Sequence, residues 1–198
     1  MPPADVNALP RADFDRIARV SQAEPETLEP AARRLLAEVP LRVQVLDIGC
    51  GTGVLARELA AKRGAKVTAI DLVPRMIDVA RLRTSQTLRV DYRVADIMEL
   101  SPRGFDVAIA VNTLQHLPLA EIVDRMANAV VPGGKVLIAD GCRLDLPRHL
   151  LSCVLRDREP LDELLPFRVI RATLREVLPG VVVRRHLGWR YTAVWTKP

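Results

Sequence analysis

The chain has 198 residues, of which 49% are hydrophobic, 27% charged and only 4% aromatic, a balance that allows one domain with an aliphatic core and excludes wholesale disorder. Basic residues exceed acidic ones by five, but all except Lys62, Lys66, Lys135 and Lys197 are arginines spread along the chain, which fits a composition bias better than the clustered footprint of a nucleic-acid binder. No apolar run approaches the roughly 18 residues of a membrane span, and Met1-Pro2-Pro3-Ala4-Asp5 lacks the basic-then-apolar order of a secretion signal, so a cytoplasmic setting with no membrane contact is expected.

Residues 1–26 are rich in Pro and Glu around one apolar patch at Phe14, Ile17, Ala18 and Val20, and read as an arm or lid. A single domain over 27–198 follows. Thr27 can cap a helix whose apolar positions Leu28, Ala31, Leu35, Leu36 and Val39 recur at helical spacing, with Pro30 in the first turn and Pro40 as the stop. Strands and helices then alternate: strand 43–46, helix 54–63 closed by Gly64, strand 66–70, helix 74–83, strand 88–94, strand 105–111, helix 119–130, a turn at Pro132-Gly133-Gly134 and strand 135–139. Short apolar strands alternating with helices imply a mostly parallel sheet covered on both faces. After Asp140 comes a variable, Pro- and charge-rich segment, 141–166, then a helix at 172–177 ended by Pro179-Gly180. Two β-rich runs, 181–187 and 191–196, close the chain as a hairpin around Gly188.

The first strand runs into Val45-Leu46-Asp47-Ile48-Gly49-Cys50-Gly51-Thr52-Gly53, an apolar run ending in a carboxylate and three glycines at alternate positions. Glycines so spaced let the backbone turn tightly and approach a ligand that a Cβ would repel. A dinucleotide fingerprint would need a third glycine at 54, where Val54 stands, and no G-x-x-x-x-G-K-[ST] phosphate loop occurs. The Asp-x-Gly-x-Gly-x-Gly pattern after a buried strand resembles the first motif of the class I S-adenosylmethionine-dependent methyltransferases, and the resemblance runs through residues 28–197. It implies a Rossmann-like α/β fold with a seven-stranded, mostly parallel sheet, a terminal antiparallel hairpin and S-adenosyl-L-methionine as cofactor.

Ligands of open α/β sheets sit at the carboxyl ends of the strands, where strand order reverses. By this resemblance Asp47, Gly49, Cys50, Gly51 and Gly53 wrap the methionine moiety, with Asp47 organising its amino end. Asp71, closing Val67-Thr68-Ala69-Ile70-Asp71, holds the ribose diol, a geometry suited to a carboxylate. Asp96 meets the adenine amino group, Ile97 lies against the ring, and Leu72 or Met76 covers a face; Asn112, after the fourth strand, completes the set. As plain local structure, Asp47 and Asp96 would cap turns and Asp71 the helix opening at Pro74.

The loop Asn112-Thr113-Leu114-Gln115-His116-Leu117 resembles the family's Leu-His-His-Leu-like sequence, with Gln115 where the first histidine would stand. His116 is the candidate base, because imidazole titrates near neutral pH; its alternative is local packing. His149 and His186 fall in the variable segment and the hairpin. Arg143, Arg148, Arg156 and Arg158 with Trp189, Arg190 and Tyr191 form a rim that could take an anionic or aromatic small molecule, or remain solvated. The acceptor is expected to be a small molecule. An RNA or protein substrate, and a binding domain or cyclase that transfers no methyl, are the alternatives. Cys50, Cys142 and Cys153 show no zinc or disulfide spacing.

Overall fold

The computed structural model describes residues 27–143, 164–187 and 189–198. The expected arm, most of the 141–166 segment with Arg148, His149, Arg156 and Arg158, the turn residue Gly188 and the side chain of His116 lie outside the described residues. Helix α1 (Pro30–Glu38) precedes β1 (Gln44–Ile48), α2 (Val54–Arg63), β2 (Lys66–Asp71), α3 (Pro74–Leu82), β3 (Val90–Val94) and β4 (Phe105–Val111). A 3-10 turn (Leu114–His116), α4 (Leu119–Ala129), β5 (Val130–Gly141), α5 (Phe167–Val177), β6 (Val182–His186) and β7 (Arg190–Thr196) follow.

The strands form one seven-stranded sheet in the order β3-β2-β1-β4-β5-β7-β6, with only β7 antiparallel to its neighbours β5 and β6. Chain order reverses between β1 and β4, so the crevice outside their carboxyl ends is where such a sheet receives ligands. Strand residues alternate between the two faces. Val45, Val107, Ile109, Leu137 and Ala139 pack with α1, α2 and α3, whereas Leu46, Ile48, Ala108, Ala110, Val136 and Ile138 pack with α4 and α5. Both faces being covered, the central strands read as continuous apolar runs, and the polar residues at their ends stand out.

Three local expectations need correction. Helix α1 starts after Glu29, with no side-chain cap, leaving Thr27 outside it; Pro30 supplies a preset φ and lacks the N–H that a cap would satisfy. Helix α5 begins at Phe167, directly after Pro166, rather than near Ala172. The Pro132-Gly133-Gly134 turn lies inside β5, as an excursion between the pairs Phe105↔Val130 and Val107↔Lys135. It survives within a strand because the chain end serves it: Gly133 N–H donates to Lys197 O at 2.9 Å and Lys197 N–H to Gly134 O at 2.8 Å. Among the described residues no helix is long and apolar enough to cross a membrane.

Candidate functional site

Strand β1 carries Asp47 to the switch point with 1% exposure, and its Oδ2 has no hydrogen-bond partner. An ionised carboxylate left this way is costly, so the proton is retained: burial first, and then the nearby Asp71 charge, push the Asp47 carboxyl up to about 7. The same burial, with the charges of Asp47 and Asp71, holds the Cys50 thiol far above its ordinary range, so it packs as a neutral side chain.

Asp71, at the end of β2, faces the loop from the side. Its Oδ2 accepts the Gly51 N–H at 2.8 Å and its Oδ1 the Val73 N–H at 2.9 Å. Burial raises its carboxyl, and the backbone N–H groups of Val73, Gly51 and Leu72 draw it back. Three backbone donors leave the carboxylate about one lone-pair site for a ligand hydroxyl. Leu72, next along, is 54% exposed, whereas Met76 is buried. Asp96 accepts the Met98 N–H at 2.8 Å and so does close a turn, with Ile97 buried beside it.

The three loop glycines serve different purposes. All have positive φ, but a Cβ on Gly49 would lie 2.8 Å from Thr113 Cβ, and one on Gly53 would lie 2.9 Å from Tyr92 Cζ. Only Gly51, at φ +52, would direct a side chain into open space. Two of the glycines are therefore demanded by the protein's own packing, and the third leaves room outside. Tyr92, beneath the loop, is fixed by Thr84 Oγ1 at 3.0 Å.

A cavity of about 150 Å³ opens over this loop, lined by Asp47, Gly49, Cys50 and Asn112 together with Leu28 and Glu29, among others. It is smaller than the roughly 300–1,000 Å³ of whole small-molecule sites, so it suits one end of a longer guest. Of the residues singled out from sequence, these four line it. Gly51, Gly53, Asp71, Leu72, Asp96 and Ile97 belong instead to the adjoining loops and strand ends, and Met76 to the first turn of α3. Asn112, at φ +55, is held by its N–H to Ala139 O at 2.9 Å, and its Oδ1 accepts Arg190 Nη1 at 2.8 Å. The backbone of His116 ends the 3-10 turn three residues after Val111-Asn112-Thr113. Sequence reasoning missed Leu28 and Glu29 as walls, and Thr113, Tyr92 and Asp140 as supports. Only the apolar spacing around Leu28 hinted at any of them. Among the described residues no group of His, Cys, Asp or Glu could hold a metal ion.

Residues 45–134 match the methyltransferase domain family. The ubiquinone biosynthesis O-methyltransferase of Xylella fastidiosa (strain M23) is 45% identical over 101 residues, 48% of this chain and 41% of that protein. The chain thus spans about two-fifths of the length of that curated relative. Among solved structures, magnesium protoporphyrin IX methyltransferase from Synechocystis PCC 6803, with bound S-adenosylhomocysteine, superposes with TM-score 0.70 at 16% identity over 94% of this chain and 95% of that one. Phosphoethanolamine N-methyltransferase 2 of Haemonchus contortus, in complex with S-adenosyl-L-methionine, gives 0.68 at 21% identity over 85% and 51%. The match to the methyltransferase domain family thus covers residues 45–134, and the strand order is that of the fold these solved methyltransferases share.

Proposed function

We propose that the protein transfers a methyl group from S-adenosyl-L-methionine to an oxygen of a small-molecule acceptor. The observation that carries this reading is Asp47, which lines the cavity over the glycine loop and whose buried Oδ2 has no hydrogen-bond partner. A cationic amino group is the complement such an atom lacks. The cofactor's amino-acid end provides one, and its sulfonium supplies the activated methyl.

The remaining residues then have distinct tasks. Asp71 accepts from a ribose hydroxyl through its remaining lone-pair site, Asp96 from the adenine amino group, and Ile97, Leu72 and Met76 flank the ring. Gly49, Cys50, Gly51 and Gly53 supply the backbone bed, and Asn112 closes it from the β4 side. Placement of the acceptor in line with the methyl contributes roughly 7–11 kcal/mol, whereas a positioned base contributes about 10²- to 10⁴-fold. His116 is that base, taking the proton of the acceptor hydroxyl from its place after β4. Oxygen as the acceptor atom, and an aromatic, ubiquinone-precursor-like ring, follow the printed function of the Xylella relative; of the expected rim, Tyr191 is instead buried in the core and Arg190 is engaged by Glu29 and Asn112. Cofactor carrying a labelled methyl, incubated with a panel of phenols, tests the reading. Label in a phenol ether, lost in His116→Ala with cofactor affinity retained, is the expected result; no transfer to any phenol contradicts it.

A further inference from the structure

Asp140 ends the apolar run of β5 at 1% exposure, and the reaction outlined above gives it nothing to do. Both of its carboxylate oxygens are nevertheless engaged. Oδ2 accepts the backbone N–H groups of Thr113 at 3.0 Å and Leu114 at 2.6 Å, and Oδ1 accepts that of Gly141 at 2.6 Å. Burial raises this carboxyl; the three N–H groups and the Arg190 guanidinium draw it back. Burying a carboxylate is costly, and hydrogen bonds to the charged form offset that cost only in good geometry. Two of the donors, Thr113 and Leu114, follow β4, and the third, Gly141, ends β5.

Thr113 carries the connection onward. Its Oγ1 lies 3.0 Å from Val111 O, 3.2 Å from Ile48 O and 3.4 Å from Gly49 O, so its single proton is shared among acceptors at the ends of β4 and β1 and on the glycine loop. The fit is close enough that no Cβ would be tolerated on Gly49. Asn112, one residue earlier, is held from the other side by Arg190. A continuous line of contacts thus runs from β5, through the loop after β4, to the loop after β1.

We propose that Asp140 is a positioning residue: through Thr113 it sets the glycine loop and the Leu114–His116 turn in fixed relation, so that cofactor bed and base are aligned by one buried carboxylate. The proposal rests on the methyl-transfer reading for its purpose, though not for its mechanics. In Asp140→Asn the amide NH2 must face at least one N–H donor, which breaks the arrangement at nearly constant volume. Thr113→Val leaves the carboxylate bonded and removes only the onward link.

The test measures amide hydrogen exchange in ligand-free protein and calorimetric binding of S-adenosylhomocysteine, for wild type, both single variants and the double variant. Both substitutions should speed exchange at Gly49 and Cys50, whose N–H groups bond to Ile70 O and not to Asp140, and weaken binding about tenfold. The double variant should be no weaker than the worse single one, since both cut the same line. Unchanged exchange at Gly49 and Cys50, or effects that multiply in the double variant, would overturn the proposal. Accelerated exchange in a protein whose wild type binds no S-adenosylhomocysteine would uphold the strut and reject the cofactor reading. Should Asp140→Asn fail to fold, Thr113→Val carries the same exchange test.

Discussion

Glu29 and Arg190, 161 positions apart, meet in a 2.7 Å ion pair that ties the start of α1 to the first residue of β7. The same guanidinium holds Asn112 Oδ1, so it bridges two walls of the cavity. Each partner keeps about a third of its side chain exposed, and solvent screening limits such a pair to about 1 kcal/mol of stability or less. Its effect should fall on ligand escape instead. Glu29→Gln should leave thermal stability nearly unchanged and speed dissociation of S-adenosylhomocysteine in stopped flow; an unchanged dissociation rate would contradict the bridging role.

Asp47 makes the ligand-free protein sensitive to pH in a defined direction. Its carboxyl is raised from 3.8 to about 7 in the folded chain, so between those values the folded state binds the extra proton. The stability this group contributes is therefore full below about pH 4 and is lost as pH rises to about 7. Asp47→Asn should flatten that part of the melting-temperature profile. A cationic ligand demands the ionised form, so binding near pH 6 should release a proton. Calorimetry in two buffers of different ionisation enthalpy reads that release directly; equal heats in both would reject it.

The glycines should separate by mutation. Gly51→Val places a β-branched residue at φ +52 with open space outside, which costs roughly 1–2 kcal/mol of backbone strain and obstructs the bed. A folded protein with no cofactor binding is expected. Gly53→Ala should lower the melting temperature further than Gly51→Ala, because its Cβ meets the Tyr92 ring. Equal losses at the two positions would mean that Tyr92 yields.

Asp71→Asn should weaken cofactor binding by roughly 1–3 kcal/mol. Both oxygens already accept backbone N–H groups, from Gly51 and Val73, so an amide must turn its NH2 toward one of them. Titration of this variant with S-adenosylhomocysteine checks the figure, and wild-type affinity would remove Asp71 from the site.

What could be read from the chain alone follows from how parallel strands are built. With both faces covered, β1 and β4 read as short apolar runs and β2 is broken only by Thr68, so the carboxylates of Asp47 and Asp71 toward their carboxyl ends are conspicuous, and the glycines after Asp47 mark the loop. The supports are a different matter. Tyr92 and Thr113 explain Gly53 and Gly49, yet they are ordinary residues of a strand and a loop, and their partners are set by strand order. Asp140 looks like the polar end of one more strand until β5 is laid beside β4. Glu29 looks like a solvated residue before a helix, because Arg190 lies at the far end of the chain. The misplaced start of α5 has a local cause: Pro166 can precede a helix as well as interrupt one, and Phe167 and Ile170 already begin the buried face that Leu174 continues.

Calorimetry with S-adenosylhomocysteine, on wild type and Asp47→Ala, tests the central claim most directly. The account predicts one molecule bound per chain in the wild type and loss of that binding in a variant that still melts cooperatively. Absence of heat with wild-type protein, or undiminished affinity after Asp47 is removed, would contradict it.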